Sequence, residues 1–451
     1  MQKIKRALWG DLSRAEAEKF TLLALTFLFV IGTYWLMRPL KDGLFVSIVG
    51  RDYLPWAKIV SVLFIIPLVL VYAKLVNVVF KQRLFYIFCT IYAGFFILLA
   101  FLLKAPEIGL DNTIASPNRI LGWTIYVMIE SFGSLLVSLF WSFVASSTET
   151  ESAKKGYGLI IFAAQIGSIL GPGIAATAMT LGISNLSLIV AVGILVVPLL
   201  IFFFIRRFPA AGEFKQDQEE KKTGIFEGLR LLLTNSYLLG VLGISTLYEV
   251  VGTILDLQFK YMSAEHFTNP ESLTAFLGQY GMATNGVTFL LALFGTSYFI
   301  RNFGLMFCLV GYPVCTAIAV LAVFITPNLW MFFCAMIFVK AISYALNNPC
   351  KEIMYIPTSK DVKFKAKSVI DMFGARCAKA SGSAITASLA NVANLPAIAP
   401  VISLSIIGVW VFAAVFVAKR NQELIDKKLK IGAQGIEGAA GSNLSVHPAQ
   451  A

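Results

Sequence analysis

The amino-acid sequence predicts an all-α polytopic membrane protein with twelve transmembrane helices. Three observations carry that expectation: composition, run length and the placement of basic residues. Across 451 residues, 58% are hydrophobic and 14% are charged, with a mean hydropathy of +0.78. That balance leaves too little polar surface to cover a water-soluble particle. Apolar runs long enough to cross a hydrocarbon core of about 30 Å occur at 20–37, 57–80, 84–103, 120–146, 157–182, 185–205, 233–257, 273–300, 303–325, 328–348, 367–390 and 396–418.

The basic residues orient these runs. Loops on the N-terminal side hold 26 Lys and Arg, whereas the opposite side holds seven: Arg38, Lys41, Arg51, Lys58, Lys104, Arg119 and Lys260. The positive-inside rule then puts both termini in the cytoplasm. Residues 1–20 are mixed in charge and lack a short apolar stretch before a small-residue cleavage site, so the first span is expected to stay in place. The net charge of +12 is therefore mostly topological. Arg206-Arg207, Lys221-Lys222 and Lys427-Lys428 flank membrane exits, where they meet anionic lipid headgroups. With no soluble domain to present those charges, the bilayer is the expected partner and nucleic acid is not. The six cysteines are scattered without a CxxC pair, and His266 and His447 are far apart. Neither a disulfide framework, a metal site nor a cofactor is expected.

The polar stretch from Arg206 to about Arg230 divides the runs six and six. The expected organisation is a cytoplasmic N-terminus (1–19), an N-terminal six-helix half (20–205), a cytoplasmic linker (206–232), a C-terminal six-helix half (233–418) and a cytoplasmic tail (419–451). Such a major-facilitator-like layout suits two halves that rock around a midplane site. Glu151-Ser152-Ala153-Lys154-Lys155 after the fourth run has a faint echo after the tenth, in Asp361 followed by Lys365-Ala366-Lys367. Gly167, Gly171, Pro172 and Gly173 in the fifth run serve either close helix packing or a hinge. From Ile431 onward the tail is rich in Gly, Ala and Ser without apolar period, and is expected to be disordered.

Charge at bilayer depth is costly and faces a water-filled cavity, a partner or a ligand. Arg38, Lys41 and Asp42 close the first run, and Glu130 sits midway along the fourth. Glu249 and Asp256 lie in the seventh and Lys340 in the tenth, with Lys351-Glu352 just after it. Asp371, Arg376 and Lys379 lie in the eleventh. The six basic members favour an anionic ligand, since Arg forks onto phosphate and Lys offers a point charge, and six carboxylates stand among them. Glu249 and Asp256 are seven apart and share a helix face. With Glu130 they suit proton coupling, counter-charge or hydrogen bonds to a base or ribose. Bland readings stand beside each: headgroup snorkelling for Arg38 and Lys41, a structural ion pair for Glu130, a lipid anchor for Lys351 and solvated surface for Asp256. Gly374-Ala375-Arg376-Cys377-Ala378-Lys379 lacks P-loop spacing. No nucleophile or metal set lies at a membrane boundary, so an enzyme is not expected.

Asn348-Pro349-Cys350-Lys351-Glu352-Ile353-Met354-Tyr355-Ile356-Pro357 puts a Lys-Glu pair between two prolines at the end of an apolar run, where Pro ends or kinks a helix. This stretch resembles the most specific motif of the nucleotide transporter family of plastids and obligate intracellular bacteria, the ATP/ADP translocases unrelated to mitochondrial carriers. The resemblance continues through Lys365-Ala366-Lys367-Ser368-Val369-Ile370-Asp371 and Gly374 to Gly382, and includes Arg38-Pro39-Leu40-Lys41-Asp42. It implies a secondary transporter that exchanges ATP for ADP by alternating access. Proton-coupled nucleotide or NAD import, and a transport-inactive receptor or scaffold, are the alternatives. Lys41, Glu130, Glu249 and Lys351 match family positions that matter for transport; Arg38, Arg376 and Lys379 join them as phosphate candidates. Glu130, Glu249 and Asp256 are candidates for coupling. The resemblance implies a bacterial inner membrane or a plastid inner envelope, and a monomer is the working expectation. Asn348, Ser343 and Pro39 replace an acid, a Lys and an Asp of the family pattern.

Overall fold

The computed structural model describes residues 13–148, 150–209, 225–294, 296–390, 395–432 and 435–438. Lys221-Lys222, His447 and the tail from 439 lie outside the described residues. The chain groups into two compact units, Met1–Gln218 with Lys260–Gly286, and Glu219–Phe259 with Val287–Ala451. Apolar side chains such as Leu63 and Phe101 in the first and Phe412 in the second remain 66–75% exposed. In water that would be unstable; against lipid tails it is the expected outer surface.

The first unit begins with α1 (Arg14–Ile48), opened by a capping box. The Ser13 hydroxyl accepts the Glu16 N–H at 3.2 Å, and the Glu16 carboxylate accepts the Ser13 N–H at 2.9 Å. The sequence places the end of this span near residue 37, yet the helix runs on through Pro39 to Ile48. A single Pro costs one ladder bond. The burial of Leu36, Met37, Leu40, Leu44 and Phe45, all within 3% exposure, outweighs it. Lys41 and Asp42 are thereby helical residues rather than loop residues. A short turn (Arg51–Tyr53) leads to α2 (Leu54–Val78). The next helices are α3 (Lys81–Leu102), α4 (Ile120–Ser147), α5 (Thr150–Ala175) and α6 (Ile183–Arg207).

The crossing of α1 and α5 depends on absent side chains. A Cβ at Gly171 would overlap the Gly32 carbonyl, and one at Gly167 would lie 2.5 Å from the Leu28 carbonyl. Of the two readings of this glycine cluster, close packing is the one with contacts behind it. The loop between α3 and α4 is gathered by the Arg119 guanidinium, which donates to the carbonyls of Asn112 (2.9 Å), Ile114 (3.1 Å), Ile108 (3.0 Å) and Gly109.

In the second unit, α7 (Ile225–Thr234) occupies the end of the expected linker. Next in chain order are α8 (Ser236–His266) and α9 (Pro270–Phe294), of which 260–286 belong to the first unit. Then come α10 (Thr296–Ile325) and α11 (Leu329–Ile342). Gly304, at φ +77°, kinks α10 where a two-residue loop at 301–302 is expected. A π-helical turn (Ser343–Asn347) joins α11 to α12 (Asn348–Met354), and another (Ile370–Gly374) joins α13 (Lys360–Val369) to α14 (Ala375–Ala390). α15 (Leu395–Asp426) completes the helices, packing Trp410 5.1 Å from Tyr312.

Among the described residues nine helices are long and apolar enough to cross a membrane. The expected count of twelve is not reached by length and composition. α11 is only 14 residues before its π turn, and the stretch after α13 carries Asp371 in its π turn and Arg376 and Lys379 in α14.

The tail departs from its expected disorder up to Gly438. β1 (Leu429–Gly432) pairs antiparallel with β2 (Gly435–Gly438). β1 also docks on the segment after α12: the Ile431 N–H donates to the Pro357 carbonyl at 2.9 Å, and the Ser359 N–H donates to the Ile431 carbonyl at 2.9 Å. Ile431 is 2% exposed, so backbone pairing and one buried side chain order a composition that looks structureless.

Candidate functional site

Each unit holds a cluster of charged side chains that includes residues expected at bilayer depth. In the first, the Lys41 ammonium donates to Glu130 Oε1, stands 3.7 Å from Asp42 Oδ1 and lies 4.2 Å above the Tyr126 ring. Asp42 Oδ2 in turn meets the Lys260 ammonium at 2.8 Å. Lys41, Asp42 and Lys260 are 3–9% exposed; Glu130 is 29% exposed. Glu130 reaches Lys41 because α4 passes close to α1: a Cβ at Gly133, three residues on, would overlap the Tyr34 ring. Arg38 stacks on its own helix, 4.6 Å from the Trp35 ring.

In the second unit a cavity of about 260 Å³ is lined by Ser245, Glu249, Asn348, Lys351, Glu352, Tyr355, Lys367, Ile370, Asp371 and Ala375. The second π turn supplies Ile370 and Asp371 to its lining, and Asn348 follows directly on the first. The first has a local cause: Pro349 cannot donate to the Ala345 carbonyl and its ring would crowd it. Widening the helix by one residue removes that conflict, so Pro349 neither ends nor breaks the helix. The Lys351 ammonium lies 4.7 Å above the Tyr248 ring and, among the described residues, makes no ion pair within 4 Å. Lys367 pairs with Glu352. Lys379 approaches Glu249 at 3.7 Å from outside the cavity lining.

The structure thus brings Lys41 to Glu130 in one unit, and Lys351 and Glu249 to one cavity in the other. Arg376, half-buried, and Asp256, two turns along α8 from Glu249, do not line that cavity. Asn348 lines it, Ser343 is buried in the first π turn and Pro39 is buried within α1. Tyr126 and Tyr248 escaped the sequence reading, since aromatics at helical spacing look like core. Lys260 escaped because it reads as a loop residue. The only available signal was its position eleven residues after Glu249 on one helix. Among the described residues no group of three His, Cys, Asp or Glu converges as metal ligands would.

The sequence profile of the TLC ATP/ADP transporters matches residues 1–333 and 316–421. The chain belongs to the TLC ATP/ADP transporter family. It is 27% identical over 484 residues to ADP,ATP carrier protein 1, chloroplastic, of Arabidopsis thaliana, covering 92% of this chain and 77% of the relative. Against ADP,ATP carrier protein 1 of Chlamydia muridarum the identity is 26% over 479 residues, covering 91% and 90%. Solved transporters share the fold of this TLC chain. A bacterial homologue of the iron transporter ferroportin in its inward-facing state superposes with a TM-score of 0.65 at 12% identity, over 91% of this chain and all of that one. The inward-open xylose transporter XylE from E. coli gives 0.56 at 12% identity, over 91% and 96%. At such identity the likeness establishes a major-facilitator-type, helical membrane fold and nothing about cargo.

Proposed function

We propose that this chain exchanges nucleotides across a membrane, ATP against ADP, by alternating access. One observation carries the reading: Lys351, a half-buried cation without an ion pair among the described residues, faces a cavity that also holds Glu249, Asp371 and Tyr355. A bare ammonium suits a phosphate, while carboxylates and a phenol suit the hydrogen-bonding groups of a ribose and base. Lys41, whose bond to the accessible Glu130 can be replaced by an incoming anion, offers a second phosphate contact. The names of the relatives, ADP,ATP carriers, support the same cargo.

The protein is a carrier rather than an enzyme on this reading, with both termini in the cytoplasm of a bacterium or on the equivalent side of a plastid envelope, and it works as a monomer. Carriers must release what they bind, so neither site needs the tight phosphate grip of a P-loop. Labelled ATP uptake into proteoliposomes tests the proposal. Uptake that requires internal ADP is expected. Equal uptake into empty vesicles, abolished by a protonophore, would replace exchange with proton-coupled import through Glu130 and Glu249. No uptake and no nucleotide-induced thermal shift would leave a receptor or scaffold.

A further inference from the structure

We propose that Lys260, acting through Asp42, is a positioning residue that sets how readily Lys41 takes an anion, an inference that rests on reading Lys41 as a phosphate contact. The four side chains alternate in sign, Glu130, Lys41, Asp42, Lys260, within one unit. Asp42 is a divided carboxylate. Its Oδ2 meets Lys260 at 2.8 Å, whereas its Oδ1, buried and without a hydrogen bond among the described residues, stands 3.7 Å from Lys41. A buried carboxylate oxygen left short of a full contact is costly, and here its stronger bond holds it back from Lys41.

The accessible end of the chain decides what an anion would displace. Glu130 is 29% exposed and the other three are 9% or less. An anion therefore reaches Lys41 by replacing Glu130, while Asp42 remains as the fixed counter-charge. Without the Lys260 charge, Asp42 turns its whole charge onto Lys41 and competes with the ligand. Without the Asp42 charge, Lys41 loses one of its two carboxylate neighbours and an anion that replaces Glu130 binds more tightly. The two single neutralisations thus act in opposite directions. A strut that merely ties the end of α1 to the end of α8 would make both act in the same direction, since either change breaks the same bond.

The test uses the purified full-length chain in proteoliposomes, reading KM and kcat for ADP-driven ATP exchange. Lys260→Met is expected to raise KM for ADP at least tenfold and Asp42→Asn to lower it at least threefold, with kcat of each within threefold of the parent. The double variant should return to within threefold of the parent KM, and Lys260→Arg should behave as the parent. Shifts in the same direction, or no shift in either, overturn the proposal. Should Lys260→Met fail to fold, a raised KM in Asp42→Asn overturns it alone. If the parent itself does not exchange ADP, the exchange reading fails separately. The variants are then ranked by thermal shift with pyrophosphate, where the same opposed order is expected and a common direction overturns the proposal.

Discussion

The hydroxyl of Tyr237 donates to the backbone carbonyl of Met354 at 2.5 Å, at the last turn of the helix that carries Lys351. The Asn421 amide donates to that same hydroxyl at 2.7 Å, so α8, α12 and α15 are tied at one buried point. Tyr237→Phe removes the link and leaves a buried carbonyl and a buried amide unpaired, at a cost of about 1–3 kcal/mol. The expected outcome is a lower apparent Tm and a weaker response of Tm to ADP. Because both changes break one relay, adding Asn421→Ala should lower Tm little further.

Gly171 is expected to be intolerant of any side chain. A Cβ there would overlap the Gly32 carbonyl and lie 2.9 Å from the Leu36 nitrogen, both backbone atoms that cannot swing aside. Gly171→Val should therefore separate α1 from α5 and destabilise by about 1–3 kcal/mol or more. Gly158 lies on the same helix with nothing within 4 Å of its would-be Cβ. Gly158→Ala should be neutral or slightly stabilising. Size-exclusion profiles of the detergent-solubilised variants check the pair.

Much of this was legible in the sequence, and the reasons are physical. A bilayer imposes run length and charge asymmetry directly on composition, so the helical membrane class and the positions of α2, α3, α4 and α6 could be read within a few residues, whereas α5 begins and ends seven residues before its expected bounds. Charged residues inside apolar runs are conspicuous for the same reason, and Lys41, Glu130, Glu249 and Lys351 all end up beside other charges. The misses share a different cause. Pro39 and Pro349 look like stops because propensity is local, whereas tertiary burial in one case and a π turn in the other carry the helix onward. Lys260 and Tyr248 matter through partners distant in sequence, and no periodicity reports such contacts.

Removing the Lys351 charge should impair ligand binding more than folding. Its ammonium has an aromatic face beneath it and no ion pair to break among the described residues. Lys351→Met should then raise KM for ADP at least tenfold, about 1.4 kcal/mol, with Tm unchanged or higher. Lys351→Arg should recover only part of the loss, since the guanidinium is larger and binds phosphate as a fork rather than a point. An unchanged KM in Lys351→Met would remove this lysine from the binding reading.

Glu249→Gln separates a functional role from a structural one. Its contact with Lys379 is 3.7 Å long and Lys379 is 53% exposed, so the pair contributes about 0–1 kcal/mol to stability. Tm should move little. A fall in exchange of tenfold or more would then have to come from the cavity that Glu249 lines, and equal effects from Lys379→Met would instead place the function in the pair.

The hairpin at the C-terminus should hold the segment after α12 in place. Thr358 bonds back to the Tyr355 carbonyl, while the Pro357 carbonyl and the Ser359 N–H take their partners from β1 through Ile431. Ile431→Pro removes the N–H that bonds the Pro357 carbonyl and cannot be compensated locally. Lys360 and Lys363 follow within four residues, so trypsin reports the change. Cleavage there should accelerate at least tenfold in Ile431→Pro, while thermal stability of the helical bundle stays close to the parent, because the lost bonds lie outside it. Unchanged proteolysis would mean that α12 and α13 hold this connection without the tail.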